Sequence, residues 1–179
     1  MTKKIRLATC SLAGCFGCHM SFLDIDEAFI AVADIVEFDR SPLTDIKNVR
    51  NCDIGLIEGG VCNSENIEVL KEFRKQCKIL VAVGACAITG GVPALRNNFE
   101  LKECLEEVYL NGRGVVNPQI PNDKELPLLT DKVYPIHEVV KIDYSLPGCP
   151  PPADAFLELI TALSENREPK LEYALRHFD

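Results

Sequence analysis

The chain has 179 residues, 47% of them hydrophobic and 26% charged, enough for one globular domain with a sizeable core and not comfortably enough for two. Nineteen lysines and arginines against 27 aspartates and glutamates leave a formal charge of -8, which repels polyanions and weighs against nucleic acid or an acidic lipid surface as partner. No apolar run approaches the roughly 18 to 20 residues that span a bilayer, and the opening Met1-Thr2-Lys3-Lys4-Ile5-Arg6 leads into neither a signal-peptide stretch nor a twin-arginine motif. The expectation is a cytoplasmic chain without membrane insertion. Nine cysteines in a reducing compartment then argue for metal or redox chemistry, because disulfides are disfavoured there and an odd number cannot pair completely.

In chain order, Ile5 to Cys10 reads as a strand, followed by a glycine-containing loop and a helix with Phe22, Leu23, Ile25, Phe29, Ile30 and Ala33 at helical spacing. Ile35 to Asp39 and Asp53 to Glu58 read as further strands, the second ended by Gly59-Gly60. Asn63 or Ser64 caps a helix through Val69, Leu70 and Phe73. Lys78 to Gly84 is apolar without polar alternation, as a parallel strand covered on both faces requires. The α/β alternation predicts a doubly wound parallel sheet in one domain over 1–179, and we favour the flavodoxin-like strand order over the Rossmann one. Pro118, Pro121, Pro127 and Pro135 make 112–144 an irregular excursion, Val139 to Leu146 supplies a last strand segment, and Phe156, Leu157, Leu159, Ile160 and Leu163 mark a final helix. The charged tail 166–179 reads as peripheral.

Ligands of such sheets collect beyond the carboxyl ends of the strands, and cysteines stand there. Cys15 and Cys18 follow the first strand in Ala13-Gly14-Cys15-Phe16-Gly17-Cys18, Cys86 follows the strongest strand in Gly84-Ala85-Cys86, and Cys149 follows the last segment in Pro147-Gly148-Cys149-Pro150. Glycine beside or near each lets backbone pass close to a bulky inorganic group and frees amides for sulfur. Four thiolates suit either a tetrahedral zinc ion or an iron-sulfur cluster. Cys52, Cys62, Cys77 and Cys104 lack this setting and read as small core residues.

Cys10, Cys15 and Cys18 also spell C-x4-C-x2-C, the plant-type two-iron spacing, but that reading leaves Cys86 and Cys149 without a task, so Cys10 is taken as a packed thiol near the site. Glu58 closes a strand on the same rim and reads either as a proton-handling or hydrogen-bonding group at the cluster or as a solvated strand-end carboxylate. His19 reads as a first-turn surface histidine, the alternative being a donor to a cluster sulfur or to a partner chain. His137 and His177 stand in uninformative contexts, and neither G-x-x-x-x-G-K-[ST] nor G-x-G-x-x-G occurs.

Together Cys15-Phe16-Gly17-Cys18, Glu58-Gly59-Gly60, Gly84-Ala85-Cys86-Ala87 and Pro147-Gly148-Cys149-Pro150-Pro151 resemble the small subunit of [NiFe] hydrogenases, from about Ile5 to about Leu163. The resemblance implies a flavodoxin-like domain in which Cys15, Cys18, Cys86 and Cys149 ligate one proximal [4Fe-4S] cluster beside the large subunit's Ni-Fe centre. Respiratory small subunits add a region for two more clusters and a twin-arginine leader. Their absence here, with Gly-Cys-His-Met-Ser-Phe-Leu-Asp after the loop, makes the chain most similar to small subunits of the cytoplasmic NAD-reducing, bidirectional group. The related subunit of respiratory complex I has adjacent cysteines in the first motif, which Phe16 and Gly17 separate here.

The implied role is a one-electron relay between the large subunit and diaphorase-type iron-sulfur and flavin subunits, where FMN and NAD bind. The large subunit carries two C-x-x-C pairs for nickel, and this chain has one, so the catalytic centre is not expected here. No FMN is expected in this chain either, because its first strand-helix loop holds Cys15 and Cys18 instead of a run of serine and threonine. The rivals are a flavin-binding flavodoxin-like module and a structural zinc module.

Overall fold

A computed structural model of the chain describes residues 4–176, so His177 lies outside the described residues. The elements run β1 (Ile5–Ser11), α1 (Gly17–Leu23), α2 (Ala28–Ile35), β2 (Val36–Phe38), β3 (Cys52–Glu58), β4 (Val61–Asn63), α3 (Ser64–Gln76), β5 (Cys77–Val83), α4 (Gly84–Thr89), α5 (Leu101–Tyr109), β6 (Leu129–Tyr134), β7 (Tyr144–Leu146) and α6 (Ala153–Ser164). Five strands pair in the order β2-β1-β3-β5-β7, all parallel, which is the flavodoxin-like order.

The unbroken apolar character of the inner strands is explained by two cores. Along β5, Val81 and Val83 enter one core with Phe22 of α1 and Phe156 and Ile160 of α6. Leu80 and Ala82 face the other, with Leu70 and Phe73 of α3. Each such side chain contributes about 1.5–3 kcal/mol when fully buried. The sheet is therefore held from both sides and its ends are set rigidly.

Two local devices fix a helix that covers the sheet and the last strand that leads to the site. The Asn63 side chain accepts the Asn66 N–H at 2.8 Å and starts α3 as its cap. The short β7 is anchored by Asp143, which accepts the Leu80 N–H at 2.8 Å and pairs with Arg74 at 2.6 Å. Without that anchor three residues of ladder would hold the last strand weakly.

The helix expected from Phe22 to Ala33 is two helices, because Asp26 takes a left-handed conformation (φ 54°) that interrupts α1 and α2. Within 112–144 the structure forms β6, which pairs antiparallel with β4, and a 3-10 turn at Ile136–Glu138. Beyond α6, Leu171 and Leu175 pack against the first core, and Arg167 is clasped by Glu158 at 2.7 and 2.9 Å.

Candidate metal centre

Strand register brings the site together. Ser11, Glu58, Val83 and Leu146 are neighbours in one row across β1, β3, β5 and β7, so the loops that follow open at one level. Cys15 lies in the loop after β1 and Cys18 in the first turn of α1, Cys86 in α4 directly after β5, and Cys149 in the loop after β7. Cys15 and Cys149 are exposed and Cys18 and Cys86 half-buried, so the site faces the surface.

Gly84 marks where the three segments meet. Its φ is +78°, and a Cβ there would run into the Cys18 Sγ and stand 3.5 Å from the Gly148 carbonyl oxygen. The Ala85 N–H donates to that same carbonyl at 2.8 Å, tying the Cys86 segment to the Cys149 loop. The Gly17 N–H points at the Cys15 Sγ at 3.4 Å, an amide already turned to a ligand-type sulfur.

The thiols also sense one another. Burial pushes the Cys18 thiol well up, and negative charge on Glu58, Cys86 and Cys15 adds to the rise. Burial likewise raises Cys86, opposed by the Val92 N–H and reinforced by Cys149, Cys15 and Glu58. Such thiols ionise readily only against a compensating cation, as metal binding supplies. Among the described residues no three His, Cys, Asp or Glu side chains could hold one metal ion. A zinc ion takes four sulfurs at about 2.3 Å from one point, whereas a four-iron cluster takes each thiolate at a separate iron.

Glu58 is not solvated. It is 3% exposed, because β3 ends beneath the α1 loop and is covered there, and its Oε2 accepts the Cys18 N–H at 3.0 Å. Burial works to raise its carboxyl, but polar contacts from the His19, Ser11 and Cys18 side chains, with the charge of His19, outweigh it and hold it below the usual carboxylate range. His19 is likewise no surface residue: it is 5% exposed, with Nδ1 2.9 Å from Glu58 Oε1 and Nε2 2.9 Å from Thr9 Oγ1. The Nδ1 approach is electrostatic, since Oε1 makes no well-aligned hydrogen bond. Phe16, left-handed at φ 67°, stacks on the imidazole with ring centroids 4.6 Å apart.

The remaining cysteines sit in other settings, with Cys10 inside β1 one residue before the strand-end row. Cys10 is packed in the second core and burial pushes its thiol up to about 11. Cys52 and Cys77 are buried neighbours across β3 and β5, and the Cys52 thiol donates to Asp39 at 3.2 Å. Cys62 and Cys104 are half-buried rather than core residues, with the Cys62 thiol donating to Asn66 at 3.3 Å. All nine thiols are free. Large apolar side chains stand exposed on the elements that carry or follow these cysteines: Met20 (55%) on α1, and Val92 (70%), Leu95 (61%) and Phe99 (65%) in the segment after α4.

Comparison with known proteins gives a consistent picture. The family described as NADH ubiquinone oxidoreductase, 20 Kd subunit, matches residues 15–163. The NAD-reducing hydrogenase HoxS subunit delta of Cupriavidus necator is 48% identical over 98% of this chain and 86% of that protein. A subunit of the F420-non-reducing hydrogenase of Methanothermobacter marburgensis is 37% identical over 96% of this chain, which spans only 57% of that protein. A chain of the NAD+-reducing [NiFe]-hydrogenase solved in the H2-reduced state superposes with a TM-score of 0.97 at 56% identity, covering 99% of this chain and all of that one. The [NiFeSe]-hydrogenase of Dm. baculatum, at 18% identity and a TM-score of 0.62 over 98% of this chain and 70% of that one, shares the fold.

Proposed function

We propose, because the chain belongs to the family of the NADH ubiquinone oxidoreductase 20 Kd subunit and, within it, to the hydrogenase small subunits, that it is the electron-transfer small subunit of an NAD-reducing [NiFe] hydrogenase. The reaction of the whole assembly is H2 + NAD+ = NADH + H+. Cys15, Cys18, Cys86 and Cys149 would hold one [4Fe-4S] cluster, which when bound supplies storage and transfer of single electrons. The observation that carries this is the meeting of Cys18, Gly84 and Gly148 at one point, on a rim that also bears Cys15, Cys86 and Cys149.

The chain's own contribution is positional and electrostatic. Glycine at 84 lets backbone come up to the Cys18 sulfur, and the Gly17 amide faces Cys15. The exposed sulfurs of Cys15 and Cys149 leave the site open for a partner to cover, and the exposed apolar side chains of α1 and of the segment after α4 suit a large subunit that carries the Ni-Fe centre. Iron-sulfur and flavin subunits of the diaphorase type, holding FMN and NAD, complete the assembly in the cytoplasm. No helix among the described residues is long and apolar enough to cross a membrane.

This chain binds no FMN in the reading proposed. A phosphate in the loop after β1 needs free amides, and those of Gly17 and Cys18 are engaged by the Cys15 sulfur and the Glu58 carboxylate.

Metal and acid-labile sulfide analysis of the complex, purified without air, tests the proposal. A broad brown absorbance with iron and sulfide attributable to this chain supports it. Zinc in a colourless chain, or the resolved violet and blue bands of a flavin in a subcomplex of this chain and its large subunit alone, contradicts it.

A further inference from the structure

Beneath the Cys15–Cys18 loop runs a line of buried polar side chains that electron relay alone leaves without a task. Ser41 Oγ accepts the Leu43 N–H at 3.2 Å and meets Thr9 Oγ1 at 2.7 Å, Thr9 Oγ1 meets His19 Nε2 at 2.9 Å, and His19 Nδ1 stands 2.9 Å from Glu58 Oε1. All four side chains are 5% exposed or less. A polar set so deeply buried is costly unless its members face one another, and here all but Glu58 Oε1, which meets Nδ1 only electrostatically, are hydrogen-bonded.

The line has a direction. A bare Nδ1 lone pair facing a carboxylate at this distance is repulsive, so Nδ1 carries a proton whichever way the two hydroxyls turn. The far nitrogen is held by Thr9, itself tied through Ser41 to the Leu43 backbone. Phe16 covers a face of the ring, with an interplanar angle of 7°. The imidazole thus has one orientation, and Glu58 is left with Oε2 aimed at the Cys18 N–H at 3.0 Å.

We propose that His19 is a positioning residue which aims the Glu58 carboxylate at the Cys18 amide, and that this carboxylate lowers the reduction potential of the group held by Cys15, Cys18, Cys86 and Cys149. The inference rests on the cluster reading above. Two effects of the same sign support it. A buried negative charge against Cys18 opposes the arrival of an electron. The Cys18 N–H given to Oε2 is also withheld from sulfur, and hydrogen bonds to cluster sulfurs are among the groups that set such potentials. His19 matters because without it the carboxylate is free to turn away from the Cys18 amide, and that change raises the potential.

The test is a potentiometric titration of the purified complex, followed by the paramagnetic resonance signal that Cys86→Ser removes. Glu58→Gln keeps an oxygen for the Cys18 amide but loses the charge, and its midpoint is expected to rise by a tenfold change in the reduction equilibrium, about 59 mV for one electron. His19→Ala raises the midpoint too. His19→Asn, which keeps an N–H near the Nδ1 position, leaves it near the wild-type value, and His19→Ala adds nothing in the Glu58→Gln background. A Glu58→Gln midpoint equal to wild type, or a His19→Ala shift of the same size in both backgrounds, overturns the inference while the cluster stands. Should His19→Ala fail to assemble, the Glu58→Gln midpoint decides. Absence of any such signal from the wild-type complex overturns the reading beneath it instead.

Discussion

A single methyl group at Gly84 would run into the Cys18 sulfur. The residue holds φ at +78° and its missing Cβ leaves room for the Cys18 sulfur, so alanine there meets both backbone strain and a collision. The strain alone is worth about 1–3 kcal/mol. Gly84→Ala is expected to lower the melting temperature of the complex and to reduce its iron content together. Full iron content in that variant would show that the close approach is not needed. The four cysteines at this rim were legible from sequence because strand ends and neighbouring glycines are local signals. His19 was not, since Thr9, Phe16 and Glu58 come from three other places in the chain and only folding brings them around the ring. Its spacing to Phe22, one turn on and also buried, was the available clue that His19 lies on the inner face of α1.

At the scale of elements, α3 and α6 offer the cleanest tests. Asn63 is the cap of α3, and Asn63→Ala is expected to cost about 1 kcal/mol and to speed amide exchange in the first turn, read by mass spectrometry of peptides covering 64–67. The clasp of α6 on the tail is pH-dependent. Hydrogen bonds from Arg167, with the Lys170 N–H, draw the Glu158 carboxyl down from 4.5 to about 2. A depressed carboxyl stabilises above its ordinary value and stops doing so as pH falls through the folded one. Exchange protection of amides around 167–176 is therefore expected to be full above about pH 5 and to fall as the pH is lowered toward 2, whereas Glu158→Gln should lose the pH dependence. The inner strands were readable because burial on both faces writes a continuous apolar run. The break between α1 and α2 was hidden by apolar residues that keep helical spacing through it, and the pairing of β6 with β4 joins segments about 70 residues apart, which no local pattern encodes.

On the scale of the whole molecule, strand-helix alternation pointed to a parallel sheet, whereas its flavodoxin-like order, favoured but inseparable from the Rossmann one by sequence, comes from the strand pairing, and the surface was not legible at all. Met20, on the helix that bears Cys18, and Val92, Leu95 and Phe99, in the segment that follows the Cys86 helix, are exposed, an arrangement that favours association over solution as a monomer. Expressed alone, the chain is expected to aggregate or to lack its cluster, and a monodisperse monomer with intact iron and sulfide on size exclusion would count against a wide partner contact. The family places such a chain in an electron path, and four thiols are the proposed local holder of that path. The most direct measurement is the paramagnetic resonance spectrum of the reduced complex with each cysteine changed to serine in turn. Cys15→Ser, Cys18→Ser, Cys86→Ser and Cys149→Ser should each remove most of one and the same signal, while Cys62→Ser and Cys104→Ser leave it in place. A full signal in Cys86→Ser, or its loss in Cys104→Ser, would contradict the assignment.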